Sequence, residues 1–300
     1  MIEFSVSGVE TYWWLPIVVA FCISSLTSTA GITGAFLLLP FQVSILGFAG
    51  PAVSATNLLY NIVAIPGGIY KYIRDRRVIW PLTGITTLSL MPGFVLGAII
   101  RVKYLPDPRM FKVFIALVLL YLSIRLLADM LRKTASEKHG GNDNGEFYWS
   151  DCKFGQGTFS YNLYGTEYQI SIVGIITVCS LVGIVSGIYG IGGGALVAPF
   201  YVAVFRQHVR AISGVALFST FVVSVFGVFV YAALEWFYKE TGLVISPDWA
   251  LGSLFGIGGM AGIYFGAVIQ KFLPVIYIKI ILMICMGIIV VRYMMGFLHF

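Results

Sequence analysis

Six stretches of the chain, at 52–72, 79–100, 110–130, 211–236, 249–270 and 275–297, run for some two dozen residues or fewer with scarcely a charge. An α-helix of roughly twenty apolar residues crosses the hydrocarbon of a bilayer, so these stretches leave few alternatives to a bundle of membrane helices. Composition agrees: 59% of the 300 residues are hydrophobic, 11% are charged, and the mean hydropathy is +0.92. Soluble domains carry about 25% charged residues. A soluble globular domain and a disordered chain are excluded. The net charge of +6 sits in the short breaks between apolar runs, with no basic stripe interleaved with aromatics, so nucleic acid is excluded as a partner as well. The fold class is an all-α polytopic membrane protein, with the lipid bilayer as its surroundings.

Two further apolar runs, 11–46 and 170–205, are too long for one ordinary span. Glycines break each near its middle, Gly31-Ile32-Thr33-Gly34 in the first and Gly187 through Gly194 in the second, and each then reaches a Pro-Phe pair, Pro40-Phe41 and Pro199-Phe200. An ungapped shift of 159 residues lays 31–72 on 190–231, matching Gly31, Gly34, Pro40, Phe41, Ser54, Gly68 and Tyr72 to identical residues. With small gaps, Leu96 to Ile100 continues onto Phe265 to Ile269. Glycine and proline coincidences in one register point to two homologous repeats. Each is a Gly-broken helix, either re-entrant or fully spanning, followed by three transmembrane helices. The expected domains are a first repeat at 1–130, a polar cytoplasmic linker at 131–169 and a second repeat at 170–300.

The linker alternates as Phe159-Ser160-Tyr161-Asn162-Leu163, with Gly165 as a turn and Tyr168-Gln169-Ile170 after it, a pattern compatible with a small β-hairpin. The first apolar run follows Glu3 and Glu10 with no Lys or Arg before it, so it is expected to be retained and not cleaved. Lys and Arg favour cytoplasmic loops. With both broken runs re-entrant and the N-terminus outside, 13 of the 19 basic residues fall on the cytoplasmic side, and the two repeats are inverted. Arg101, Lys103, Arg109 and Lys112 fit this arrangement poorly. Cys22, Cys152, Cys179 and Cys285 are far apart, with no disulfide framework or metal-ligand spacing.

Backbone that leaves helical geometry inside a membrane is tolerated only where protein or a water-filled cavity satisfies it. A half-helix restarting after such a break points free N–H groups and partial positive charge at the gap. Transporters built from repeats place their solutes at such discontinuities. Around the first break lie Ser24, Ser25, Thr27, Ser28, Thr29 and Thr33; on the next span Ser54, Asn57 and Asn61 share a face, with Ser213, Ala216 and Thr220 as repeat partners and Ser219 beside them. The candidate substrate-binding residues are Gly31, Thr33, Gly34, Asn57, Asn61, Gly190, Gly192, Gly193, Gly194, Ser219 and Thr220. Ionisable residues deep in the spans are nearly absent. A solute site must therefore be built from exposed backbone and neutral side chains, and a relay of buried carboxylates is unsupported. The series Gly258-x-x-x-Gly262-x-x-x-Gly266 reads as helix packing. No HExxH pair, paired intramembrane aspartates or GxSxG setting occurs, and no catalytic residue, metal site or cofactor is expected.

The run Val182-Gly183-Ile184-Val185-Ser186-Gly187-Ile188-Tyr189-Gly190-Ile191-Gly192-Gly193-Gly194, followed by Pro199-Phe200, resembles the signature of the TauE/SafE sulfite exporter family. Gly31-x-x-Gly34 followed by Pro40-Phe41 resembles its degenerate counterpart, with Thr33 and Ala35 facing Gly192 and Gly194. The resemblance covers nearly the whole chain. It implies a secondary transporter of the prokaryotic inner membrane that exports sulfite or small organosulfonates by alternating access between two repeats. The competing reading is a non-transporting membrane scaffold or sensor whose polar centre only packs helices. Oligomeric state is left open.

Overall fold

The computed structural model describes residues 1–29, 33–48, 50–136, 149–163, 165–269 and 275–298. Gly31, Ile32 and the glycine-rich stretch 140–145 of the linker lie outside these. The helices are α1 (Trp14–Thr29), α2 (Ala35–Ser44), α3 (Ala52–Ala64), α4 (Pro66–Arg74), α5 (Trp80–Lys103), α6 (Pro108–Ser136), α7 (Ile172–Tyr189), α8 (Gly194–Ala203), α9 (Val209–Phe237), α10 (Trp249–Ile269) and α11 (Val275–Leu298). Among the described residues, six helices are long and apolar enough to cross a bilayer: α5, α6, α7, α9, α10 and α11.

The stretch 52–72, expected as one span, forms two helices, α3 and α4, bent by 42°. Pro66 at the first position of α4 supplies no N–H for the helix to continue through, and Gly67 and Gly68 follow it. The bent pair passes the same test for length and apolarity as a single span.

The polar segment after α6 holds more β-structure than a hairpin. Strands β3 (Trp149–Phe154), β4 (Thr158–Leu163) and β5 (Thr166–Ser171) form an antiparallel sheet in that order, with Tyr161 opposite Tyr168. Phe159, Tyr161 and Leu163 of β4 are buried in the period of two that a one-sided sheet requires. The Tyr161 hydroxyl donates to Gln207 Oε1 at 2.7 Å and Trp149 Nε1 donates to the Arg76 carbonyl at 3.3 Å. The sheet therefore caps the bundle end where α4 finishes and α8 leads into α9. A second pair of strands, β1 (Ile2–Phe4) and β2 (Val9–Thr11), sits at the start of α10. There the Ser7 hydroxyl donates to Asp248 Oδ2 at 2.8 Å, and Asp248 Oδ1 accepts the Leu251 amide at 2.9 Å.

Two close helix pairs tie the halves together. In one, Gly93 and Gly97 of α5 lie against the backbone of Ser180 and Ile184, while Gly183 and Gly187 of α7 lie against that of Leu90 and Phe94. In the other, Gly258, Gly262 and Gly266 of α10 meet α1 at Ile17, Phe21 and Ser25. These glycine series thus pack helices, as small residues do where backbones approach closely. Within each pair the residue numbers rise together, so the helices run the same way. Thr87 on Ser219 and Phe94 on Tyr231 show that α5 and α9 also run together. Because α10 returns antiparallel to α9, α1 and α7 run in opposite directions.

Both broken runs double back. Tyr201 of α8 comes to 3.9 Å from Cys179 Sγ of α7, and Phe205 packs on Gly174, near the start of α7. In the first run, Phe41 stands edge-on to Phe255 of α10 with ring centroids 6.4 Å apart. Phe255 lies one turn before Gly258, which meets Ile17 near the start of α1. α1 with α2, and α7 with α8, are therefore each a helical hairpin, its tip where the two helices adjoin.

Candidate functional site

At the second tip the helix stops because Gly190, Gly192 and Gly193 take φ of +81°, +79° and +82°, left-handed geometry that side chains disfavour. The turn leaves the last carbonyls of α7 without helical partners. Side chains of α3 take them up in sequence. Ser54 Oγ donates to the Ile188 carbonyl at 2.9 Å, Asn57 Nδ2 to Gly190 at 3.0 Å and Asn61 Nδ2 to Ile191 at 3.0 Å. From α9 the Tyr231 hydroxyl donates to the Gly187 carbonyl at 2.6 Å. The spacing of 54, 57 and 61 keeps one helical face on the break.

Asn57 also joins the two hairpins. Its Nδ2 reaches the Ala35 carbonyl, in the first turn of α2, at 3.1 Å. Beside it the Tyr189 hydroxyl donates to the Phe36 carbonyl at 2.7 Å. Gly34 packs on the hydroxyl ends of Tyr60 and Ser24, which lie 2.8 Å apart. On the far side, Gly192 and Gly194 lie against Thr220 of α9, and Gly192 also against Ser224. Both positions are close to the middle of α9.

The structure thus gathers Thr33, Gly34, Asn57, Asn61, Gly190, Gly192, Gly193, Gly194 and Thr220 around two adjoining tips. Gly31 lies outside the described residues. Ser219 is turned away: its Oγ accepts from Thr87 Oγ1 of α5 at 3.0 Å. Helix periodicity explains this, because Ser219 is one residue, about 100° of helix rotation, from Thr220.

Several polar atoms at the tips are buried without a partner: Thr33 Oγ1, Asn57 Oδ1, Asn61 Oδ1 and Ser186 Oγ. Asn57, Asn61 and Ser186 are fully buried. The amides of Gly192 and Gly193 likewise meet no protein acceptor among the described residues. An unpaired buried polar group costs about 1–3 kcal/mol, so a cluster of them marks a place for water or a polar solute.

The expectation that a site here is built from exposed backbone and neutral side chains meets an exception nearby, at Arg101. Its side chain is fully buried, with the guanidinium carbon 3.6 Å from the centroid of the Phe111 ring. Nη2 donates to the Gly50 carbonyl at 2.6 Å, Nη1 to the Leu105 carbonyl, and Nε to Ser54 Oγ at 3.4 Å. No carboxylate pairs with it among the described residues. Position near the end of an apolar run gave no sign of this, since burial here depends on Ser54 and Phe111 arriving from other helices. One hydroxyl, that of Ser54, connects this cation to the carbonyls of the second tip. Ser54 and Ser186 also belong to the site beyond the expected set, as does Ser224, whose Oγ accepts from Asn61 Nδ2 at 3.4 Å.

A family model described as Sulfite exporter TauE/SafE matches residues 16–293. Comparison with curated proteins finds no match, and neither does comparison with solved structures.

Proposed function

The chain belongs to the TauE/SafE sulfite exporter family, and we propose that it carries sulfite or a small organosulfonate out of the cell by alternating access. Membership makes it a multi-pass membrane transporter of the sulfur-anion type, and not an enzyme. The proposed solute site lies between the hairpin tips. The amides of Gly192 and Gly193 and the N-terminal ends of α2 and α8 would face the anion, with Thr33, Asn57, Asn61, Ser186 and Thr220 positioning it. The observation that carries this reading is the convergence of both tips on Asn57, in a shell of buried polar atoms with no protein partner. Arg101 supports it, because a buried cation with no carboxylate paired to it among the described residues leaves positive potential that favours an anion nearby.

Alternating access is supported by the way the halves interlock. The first helix of each half packs on a late helix of the other, α1 on α10 and α7 on α5, and α1 and α7 run in opposite directions. Two inverted copies of one unit would produce that reciprocity, and rocking one against the other would expose the tips to each side in turn. The basic residues Arg74, Arg76, Arg77 and Arg206 lie at the bundle end covered by the three-stranded sheet, which is the cytoplasmic side in this reading. A cytoplasmic (inner) membrane with a negative interior would drive an anion outward by about 2.3 kcal/mol per charge per 100 mV.

The test is flux of labelled sulfite through the purified chain in proteoliposomes at a set potential. Saturable flux that quickens when the sulfite-loaded side is made negative is expected. Absence of saturable flux for sulfite and for every sulfonate tried sinks the reading.

A further inference from the structure

The unpaired atoms at the tips differ in kind, and the difference selects among sulfur anions. Nδ2 of Asn57 faces the carbonyls of Ala35 and Gly190, and Nδ2 of Asn61 faces that of Ile191, all at 3.0–3.1 Å. Carbonyl oxygens only accept, so turning either amide over would set acceptor against acceptor. Both Oδ1 atoms are therefore fixed as acceptors, and both are buried with no donor. At the second tip, the Gly192 and Gly193 amides are donors without an acceptor among the described residues. Ser186 Oγ, beside Gly193, and Thr33 Oγ1 can serve either way. The tips thus carry donors and obligatory acceptors together.

Sulfite dianion and simple alkylsulfonates carry acceptors alone. Either would satisfy the glycine amides and set negative oxygens against two amide oxygens. Water can meet Oδ1 while the site is empty, and a solute displacing that water loses affinity unless it reproduces the hydrogen bonds. Resting on the transport reading above, we propose that the solute must bring its own hydrogen-bond donor to Asn57 and Asn61, so that sulfite is carried as hydrogensulfite and not as the dianion. The donor is the solute's own proton. It crosses with the anion and is released to water on the far side, where hydrogensulfite ionises according to the pH there. Each turnover moves one negative charge and exports one acid equivalent, with no proton relay through the protein. The ionisable groups on the elements packed around the tips include Tyr60 on α3, Arg101 on α5, Tyr189 on α7 and Tyr231 on α9, all of types that keep their protons through neutral pH. Asp248, at the start of α10, meets α3 through Thr56 and is held by Ser7 and the Leu251 amide.

The experiment uses the full chain in proteoliposomes. Counterflow of labelled sulfite is measured at fixed total sulfite through its second ionisation, together with competition by ethanesulfonate and by 2-hydroxyethanesulfonate, which adds a hydroxyl donor. Well above that ionisation the rate should fall about tenfold per pH unit, following hydrogensulfite. The hydroxylated sulfonate should compete at least tenfold better than its plain analogue, with a strength that does not change with pH. Asn61→Leu should erase that preference; if this variant does not fold, the wild-type comparison of the two sulfonates still decides. A rate that follows total sulfite at alkaline pH overturns the proposal. So does equal competition by the two sulfonates, a parallel pH loss for the hydroxylated one, or a requirement for sodium in place of the proton. Absence of flux and of competition at every pH would instead remove the transport reading itself.

Discussion

Asn57 and Arg101 show what a single side chain holds in this molecule. Replacing Asn57 by Leu keeps its approximate volume, strands the Gly190 carbonyl at about 1–3 kcal/mol and removes the link to the Ala35 carbonyl of α2. Asn57→Leu is expected to lower the thermal unfolding temperature in detergent and to abolish sulfite flux. Full flux with a lowered unfolding temperature would mark Asn57 as packing alone. Arg101 separates charge from shape. Lys keeps the charge without the planar fork that reaches Gly50, Leu105 and Ser54 at once, whereas Met keeps neither. Both variants should melt lower than wild type, but Arg101→Lys should retain measurable anion flux and Arg101→Met should not. Equal flux in the two would deny the cation any electrostatic part. The polar face of Asn57 and Asn61 was legible from their four-residue spacing. The burial of Arg101 was not, because it is made by Phe111 and Ser54 arriving from distant sequence.

At the scale of elements, the glycine-rich stretches at 31–34 and 187–194 announced that α1 and α2, and α7 and α8, are separate helices, but left open whether each pair turns back or crosses. The bend at Pro66 was passed over because the hydrophobic run continues through it. β3 escaped notice because a bulge between Ser150 and Lys153 breaks its alternation. The glycines inside α5, α7 and α10 decide how closely the halves pack. A methyl group at Gly97 would run into the backbone of Ile184 and Gly187, whereas one at Gly287 of α11 meets nothing within 4 Å. Gly97→Ala is therefore expected to destabilise by about 1–3 kcal/mol through overpacking. Gly287→Ala should be neutral or gain about 0.5–1 kcal/mol of helix preference. Paired thermal unfolding curves check this, and equal effects would mean that α5 and α7 do not touch through their backbones.

At the scale of the whole molecule, the opposite directions of α1 and α7 place the N-terminal strands and the three-stranded sheet at opposite ends of the bundle. The sheet end carries Arg74, Arg76 and Arg77, so it should face the cytoplasm. Cys152 on β3 is a native reporter for that end, since Cys179 is buried and Cys22 and Cys285 lie on outward faces of α1 and α11. A membrane-impermeant maleimide should label Cys152 in inside-out vesicles and not in intact cells. Glu3→Cys, an exposed position on β1, should show the reverse. Partial burial and the neighbouring Asp151 carboxylate both raise the Cys152 pKa. The thiolate is the reacting form, and a raised pKa leaves less of it at neutral pH. Labelling should therefore start slower than for an unperturbed thiol and quicken as pH rises toward the raised value. Labelling of both positions from the same face would place the two ends together and remove the opposed halves on which alternating access rests. Labelling from opposite faces would leave the hairpin tips as the place where the two halves meet, in keeping with the solute site proposed there.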